Sequence, residues 1–521
     1  MKPSNLSRMI LLCFALSFLL PGFRQPARAE LPPAEAFLPA LDAFVDEQMR
    51  RLEIPGLALV VVRGGEMLAL RGYGVADGSA RPVTPQTPFL AASLSKPITA
   101  LGVMQLVEAG KIELDAPVQE YLPWFQTADP AASAQITVRN LLHHASGLSE
   151  QQGDLRNLEK DRGEEALETS LRRLSDATLN AAPGEQFEYS NTNYDLLGML
   201  IQTVSGKTYA AYIQEEIFAP LGMQHSHTSL EAARQDGLSS GYIDLFGLTL
   251  PYDRRMPYSE TVLPSAGLFL SAEDLARFIA LHLDEGRLPD GTQLLSPAGM
   301  AQLHTPGIQI AENVNYAIGW TQFQFAQLAP AGAPGAPAPL ALSHGGEWTN
   351  YRALIVLVPE HELGVAMLVN KQDWRQASAY KQIVWNTSLL ALGLPLADFP
   401  LQEDFLSRYG DFVGGALALL LLVSLVWSAQ RLSVRAGWQV HEPGRRWNLI
   451  IFLLVLPLID LALVGWGLLF DFISPEGLRL DLAFNPEVGL LYAVLLTLTL
   501  GWGALRTVLA ISKARQAGLG E

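Results

Sequence analysis

Ser93 and Lys96 stand one helical turn apart in Ser93-Leu94-Ser95-Lys96, a spacing that puts a hydroxyl and an amine on one helix face. A desolvated lysine amine can take the serine proton and turn the hydroxyl into a nucleophile for a carbonyl carbon. The motif follows Pro88-Phe89-Leu90-Ala91-Ala92 and opens an apolar run to about Glu108, so it is expected at the start of a helix. There the backbone N–H groups and the positive end of the helix dipole face any developing oxyanion.

Other residue patterns compete for the same chemistry. Ser378-Ala379-Tyr380-Lys381 repeats the spacing, but on a late segment that reads as an ordinary amphipathic helix. Gly237-Leu-Ser239-Ser-Gly241 fits the nucleophile elbow of another hydrolase fold. That elbow needs a strand before it and a helix after it, and neither is expected here. His143-His144 and His225-Ser226-His227 lack the carboxylate partners of a metal motif, so no metal and no cofactor is expected.

The elements that would position Ser93 are legible in outline. Residues 57–63 and 66–73 read as strands joined by Gly64-Gly65, a hairpin. Residues 89–111 read as a helix, and the stretch from Ile136 to about Ala219 as mainly helical. Strand signals return at 316–325, 340–343, 351–358 and 364–369. An early hairpin, a helical middle and late strands predict an α+β domain: one antiparallel sheet built from both chain ends, flanked by helices, with a helical lobe.

The 521-residue chain divides into two regimes. Residues 1–29 carry a basic start, an apolar run and Ala27-Arg28-Ala29, the pattern of a secretory signal peptide. Cys13, the only cysteine, lies inside it, which leaves residues 30–395, the expected hydrolase domain, without a disulfide. Residues 396–411 read as a tether. Within 412–511, three apolar runs at 412–429, 447–470 and 488–511 are each long enough to span a bilayer. Arg431, Arg435, Arg445 and Arg446 occupy the loop between the first two runs, and Asp471, Glu476, Asp481 and Glu487 dominate the next. The positive-inside rule then places the arginine loop and the tail 512–521 in the cytoplasm and the hydrolase domain outside. Asp460, inside the second run, reads as a carboxyl held between helices. The net charge of −16 and the lack of a basic face exclude nucleic acid as a partner.

Residues 38–395 resemble the serine β-lactamase/penicillin-binding-protein superfamily, in its class C β-lactamase, D,D-peptidase and esterase-like branch. The resemblance rests on Thr87-Pro-Phe-Leu-Ala-Ala-Ser93-Leu-Ser-Lys96, Ile136-Thr-Val-Arg-Asn-Leu-Leu-His-His-Ala-Ser-Gly-Leu148 and Pro183-Gly184 leading to Tyr189-Ser190-Asn191-Thr-Asn-Tyr194. Pro264-Ser-Ala-Gly-Leu268 before Ser271-Ala-Glu-Asp-Leu275, and Ser343-His344-Gly345-Gly346, complete the set in the superfamily's order. It implies a serine hydrolase working through an acyl-enzyme on a small-molecule or peptide ester or amide, cell-wall peptide included. Ser93 would be the nucleophile. Lys96 and Tyr189 would share the proton work, Tyr189 as a phenolate beside a charged lysine. Asn191 would orient Lys96 and bind a substrate amide. The N–H groups of Ser93 and Glu347 would hold the oxyanion.

His344-Gly345-Gly346 stands where many relatives carry Lys-Thr-Gly. A histidine near its ordinary pKa is mostly neutral at pH 7, so anchoring of a substrate carboxylate should weaken unless Arg352 or Lys371 replaces the lost cation. Lowering the pH toward 6 would charge His344 and restore part of that anchor. Two non-enzyme readings compete: a penicillin-binding-type sensor that acylates once, and a peptidoglycan-binding module with little turnover.

Overall fold

The computed structural model describes residues 34–397 apart from 160, 164, 246–247, 254–255, 329–337 and 374–375, then 419, 423, Pro475–Phe484 and scattered positions from 486 to 508. The signal segment, the second apolar run with Asp460, and all but scattered positions of the first and third runs lie outside the described residues. Among the described residues no helix is long and apolar enough to cross a membrane.

An eight-stranded antiparallel sheet forms the frame. Its order is Glu66–Gly74, Gly56–Arg63, Leu363–Val369, Tyr351–Val358, Leu340–Trp348, Thr321–Gln324, Val314–Tyr316, Ile308–Ala311. The first hairpin thus pairs with the last strand, Leu57 opposite Val369, and both chain ends build one sheet.

The central strands read as unbroken apolar runs because both their faces are covered. Leu57, Leu59 and Val61 enter one core, with Phe37, Leu41 and Tyr380 from the helices Ala34–Leu52 and Ala377–Ala391. Ala58, Val60 and Val62 enter the other, with Ile98 and Leu101 of the helix Ser95–Glu108. Period-two alternation sends neighbouring residues to opposite layers. The catalytic candidates belong to the second layer, where the middle helices, among them Asn191–Ser205, cover the sheet.

Two expectations are corrected. Residues 89–111 are not one helix: Phe89–Leu90 is a short strand paired with Phe269–Leu270, and the helix begins at Ser95. The strand expected at 340–343 runs on to Trp348, pairing with Tyr351–Val358 along its whole length past Leu342.

Candidate active site

Ser93 lies in a 3₁₀ turn, Ala92–Leu94, wedged between the short strand and the helix. Ala92 takes a φ of +47°, uncommon for a residue with a Cβ. That kink leaves Ser93 half-exposed while Ala91, Ala92, Leu94, Ser95 and Lys96 are buried. Ser95 fixes the turn from below: its Oγ donates to the Ala92 carbonyl (2.8 Å) and accepts from the Leu268 N–H (3.1 Å).

Lys96 is completely buried. Its Nζ lies 3.0 Å from Ser93 Oγ, 2.7 Å from Asn191 Oδ1 and 2.9 Å from the Ser265 carbonyl. Burial pushes the amine down to about 7, and the carboxylates of Asp195 and Asp154 oppose that fall. A lysine in this setting exchanges its proton near neutral pH instead of staying charged.

Asn191 opens the helix Asn191–Ser205. Its oxygen accepts from Lys96 and its Nδ2 donates to Asp154 Oδ1 at 3.3 Å, so the amide is held one way round. Tyr189 places its ring 4.7 Å from Lys96 Nζ and packs on the ring of His144, centroids 4.4 Å apart. Burial drives the phenol well above its ordinary range, against the opposing effect of its hydrogen bond with Ser93. Burial therefore favours the neutral hydroxyl of Tyr189 over the expected phenolate.

His344 is buried, and both its ring nitrogens are engaged. Nδ1 lies 2.8 Å from the Gly345 carbonyl, to which it must donate, and Nε2 then accepts from the Tyr316 hydroxyl at 3.1 Å. Burial and the nearby Lys96 push it down to about 3. The expectation that acidification toward pH 6 charges His344 is corrected accordingly. Lys371 does not replace the cation: it is fully buried, paired with Asp244 at 2.9 Å and bonded to the Leu52 and Glu53 carbonyls. Arg352 borders the cavity but is committed to Glu347 (2.5 Å) and Gln372 (3.2 Å).

Gly345, Gly346 and Glu347 continue the strand Leu340–Trp348 beyond Ser343, the last residue it pairs with Thr321–Gln324. The edge freed there lies against the Ser93 turn: a Cβ on Gly346 would overlap the Ala91 carbonyl oxygen. Ser93, Tyr189, Asn191, His344 and Glu347 all line one cavity of about 1130 Å³.

The competing motifs serve structure. Ser378 opens the helix on the opposite face of the sheet. Ser239 is fully buried, donates to the Ala76 carbonyl and accepts from Asn370 Nδ2; a helix precedes it and a strand follows, the reverse of an elbow. His225 and His227 both lean on Asp236, at 3.0 and 2.8 Å. Among the described residues no group of three or more His, Cys, Asp or Glu side chains is placed to hold a metal ion.

Sequence reasoning missed Asp154, Asp195, His144 and Tyr316 as parts of this site. Asp154 and Asp195 are both raised to about 6, chiefly by burial. Asp195 is countered by Arg156 at 3.3 Å. Their positions depend on how helices Glu150–Arg156 and Asn191–Ser205 meet, which no local pattern announces.

The family described as beta-lactamase matches residues 41–385. Protein flp of Staphylococcus aureus (strain MW2) is 26% identical over 442 residues, 82% of each chain. Penicillin-binding protein 4 of Amycolatopsis lactamdurans is 32% identical over 251 residues, 48% of this chain and 64% of that one. Among solved structures, the octameric penicillin-binding protein homologue from Pyrococcus abyssi superposes with a TM-score of 0.56 at 27% identity, covering 68% of this chain and 77% of its own. A class C beta-lactamase mutant gives the same TM-score at 22% identity, with 68% and 97% covered, a likeness of fold. With its fold, its Ser93–Lys96 turn and a family match across most of its length, the chain belongs to the beta-lactamase family.

Proposed function

We propose that this protein is an extracytoplasmic, membrane-anchored serine hydrolase that cleaves an ester or amide through an acyl-enzyme. The observation that carries the reading is the fully buried Lys96 amine, 3.0 Å from the hydroxyl of the one accessible residue in its turn. Ser93 Oγ bonds to the carbonyl carbon as its proton passes to neutral Lys96 Nζ. Lys96 returns the proton to the leaving oxygen or nitrogen, with the Tyr189 hydroxyl as relay. Water then bonds to the acyl carbon and gives a proton to the same base, which passes it to Ser93 Oγ as the acyl carbon–Oγ bond breaks and the acid leaves. The oxyanion is held by the N–H groups of Ser93 and Glu347.

Neutral His344 and committed Arg352 leave little to anchor a carboxylate beside Ser93. Lys381, exposed, lines the same cavity, but from the helix that covers the sheet face opposite the Ser93 layer. Uncharged esters or amides therefore suit the site better than β-lactams or free peptide C-termini.

The membrane reading assigns 1–29 as a signal peptide and 412–511 as three spans. The apolar runs and their flanking charges carry it, and one contact fits it. The helix Pro475–Phe484, from the acidic loop, meets the catalytic domain through Thr349 and Ala483, as it must if loop and domain share a side. Sustained release of p-nitrophenol from p-nitrophenyl acetate, beyond one equivalent and dependent on Ser93, tests the enzyme reading. A single burst that leaves the acyl group in place would indicate a sensor instead.

A further inference from the structure

The acidic loop between the second and third apolar runs does more than return the chain to the membrane. Its helix Pro475–Phe484 borders the Ser93 cavity and packs near the helix Glu150–Arg156. The Phe484 ring meets Trp348 edge to face, centroids 5.2 Å apart at 85°. Thr349 Oγ1 donates to the Ala483 carbonyl at 3.1 Å. Trp348 is itself buried and fixed by a 2.8 Å bond from Nε1 to the Pro257 carbonyl. It ends the strand that carries His344, Gly345, Gly346 and Glu347. The docking point is thus the same strand that supplies the expected oxyanion donor.

Leu480 and Phe484 line the cavity that Ser93 lines. With Trp348 and Phe187 they make an apolar wall in a cleft that also carries Glu150, Asp154 and Glu347. An apolar wall gains affinity from apolar surface that leaves water against it and is indifferent to small polar groups. We infer that Leu480 and Phe484 are specificity-determining residues of the hydrolase site, so that the membrane-flanked segment completes the cleft and selects esters or amides carrying an extended apolar group near the scissile carbonyl. This rests on Ser93 being the nucleophile as proposed above. Because apolar runs stand on both sides of this wall in sequence, it is held near the bilayer surface, where substrates of that kind partition.

The test uses the full-length protein in detergent solution with p-nitrophenyl acetate and p-nitrophenyl octanoate. In Leu480→Ser/Phe484→Ser, kcat/KM for the octanoate should fall about tenfold, as expected for losing contact with one or two apolar side chains. The value for the acetate should stay within about twofold, the difference arising from the apolar chain alone. Stoichiometric labelling of Ser93 by a fluorophosphonate verifies that the variant is folded. An unchanged octanoate-to-acetate ratio in a variant that labels normally overturns the wall and leaves the hydrolase reading standing. Undiminished turnover of both esters by Ser93→Ala overturns the hydrolase reading itself. Placement of the helix is read without activity. Thr349→Cys/Ala483→Cys should cross-link with a short bis-maleimide in a chain whose only native cysteine is Cys13. Failure of the pair to cross-link would also overturn the proposal.

Discussion

Gly346 lies against Ala91 so closely that a Cβ would overlap the Ala91 carbonyl oxygen, whereas at the adjacent Gly345 the nearest atoms would stand 4.0 Å away. One glycine lets the strand edge seat the nucleophile turn; the other is under no such constraint. Gly346→Ala should cost about 1–3 kcal/mol of stability, the range for overpacking, and should slow acylation because Ser93 is displaced. Gly345→Ala should leave the thermal midpoint nearly unchanged. Calorimetry of the two variants together with fluorophosphonate labelling rates checks the contrast. Equal destabilisation by both would mean that the turn does not depend on this contact.

The rate of acylation should rise with pH through about 7, where Lys96 loses its proton, because only the neutral amine can accept the Ser93 proton. Asp154 raises the lysine's pKa, so Asp154→Asn should move the midpoint of the profile to lower pH. Single-turnover labelling between pH 5 and 9 measures both. An upward move in Asp154→Asn would contradict the assigned electrostatics.

The ratio of kcat/KM for a penicillin to that for a neutral ester should not change between pH 8 and pH 6. His344 remains neutral until about pH 3 because burial and Lys96 both oppose its charge. His344→Lys should raise that ratio by about 10-fold or more, the effect of a charge-assisted hydrogen bond to carboxylate. A ratio that climbs on acidification in the unmodified protein would show that His344 does titrate in the working range.

A reporter fused after Arg435 should register as cytoplasmic, and one fused after Pro400 as exterior, because four arginines flank one loop and acids the next. Alkaline phosphatase and fluorescent-protein fusions distinguish the sides. The reverse pattern would place Ser93 in the cytoplasm and exclude the signal peptide.

Much of the frame was legible because its strands are simple. Residues 57–62, 353–358 and 363–369 are apolar throughout, since alternate side chains enter different cores. The same uniformity hid the strand Phe89–Leu90, because an apolar run buried on all sides carries no period to separate strand from helix. The extension from His344 to Trp348 was illegible for another reason. Gly345 and Gly346 have poor strand propensity and are held there by pairing with Leu354 and Ala353. At the site, Ser93, Lys96, Tyr189 and Asn191 were marked by motif, but the charge state of Tyr189 was not, because it follows from burial. Asp154, and Leu480 with Phe484, were out of reach of any motif. Each is brought to the cleft by contacts between segments far apart in sequence.

In the proposed mechanism Ser93 carries the acyl group. The most direct test is peptide mass spectrometry of the full-length protein trapped with a fluorophosphonate, alongside Ser93→Ala, Ser239→Ala and Ser378→Ala. The adduct should map to Ser93, vanish in Ser93→Ala and persist in the other two variants. An adduct on another serine, or full labelling of Ser93→Ala, would contradict the account.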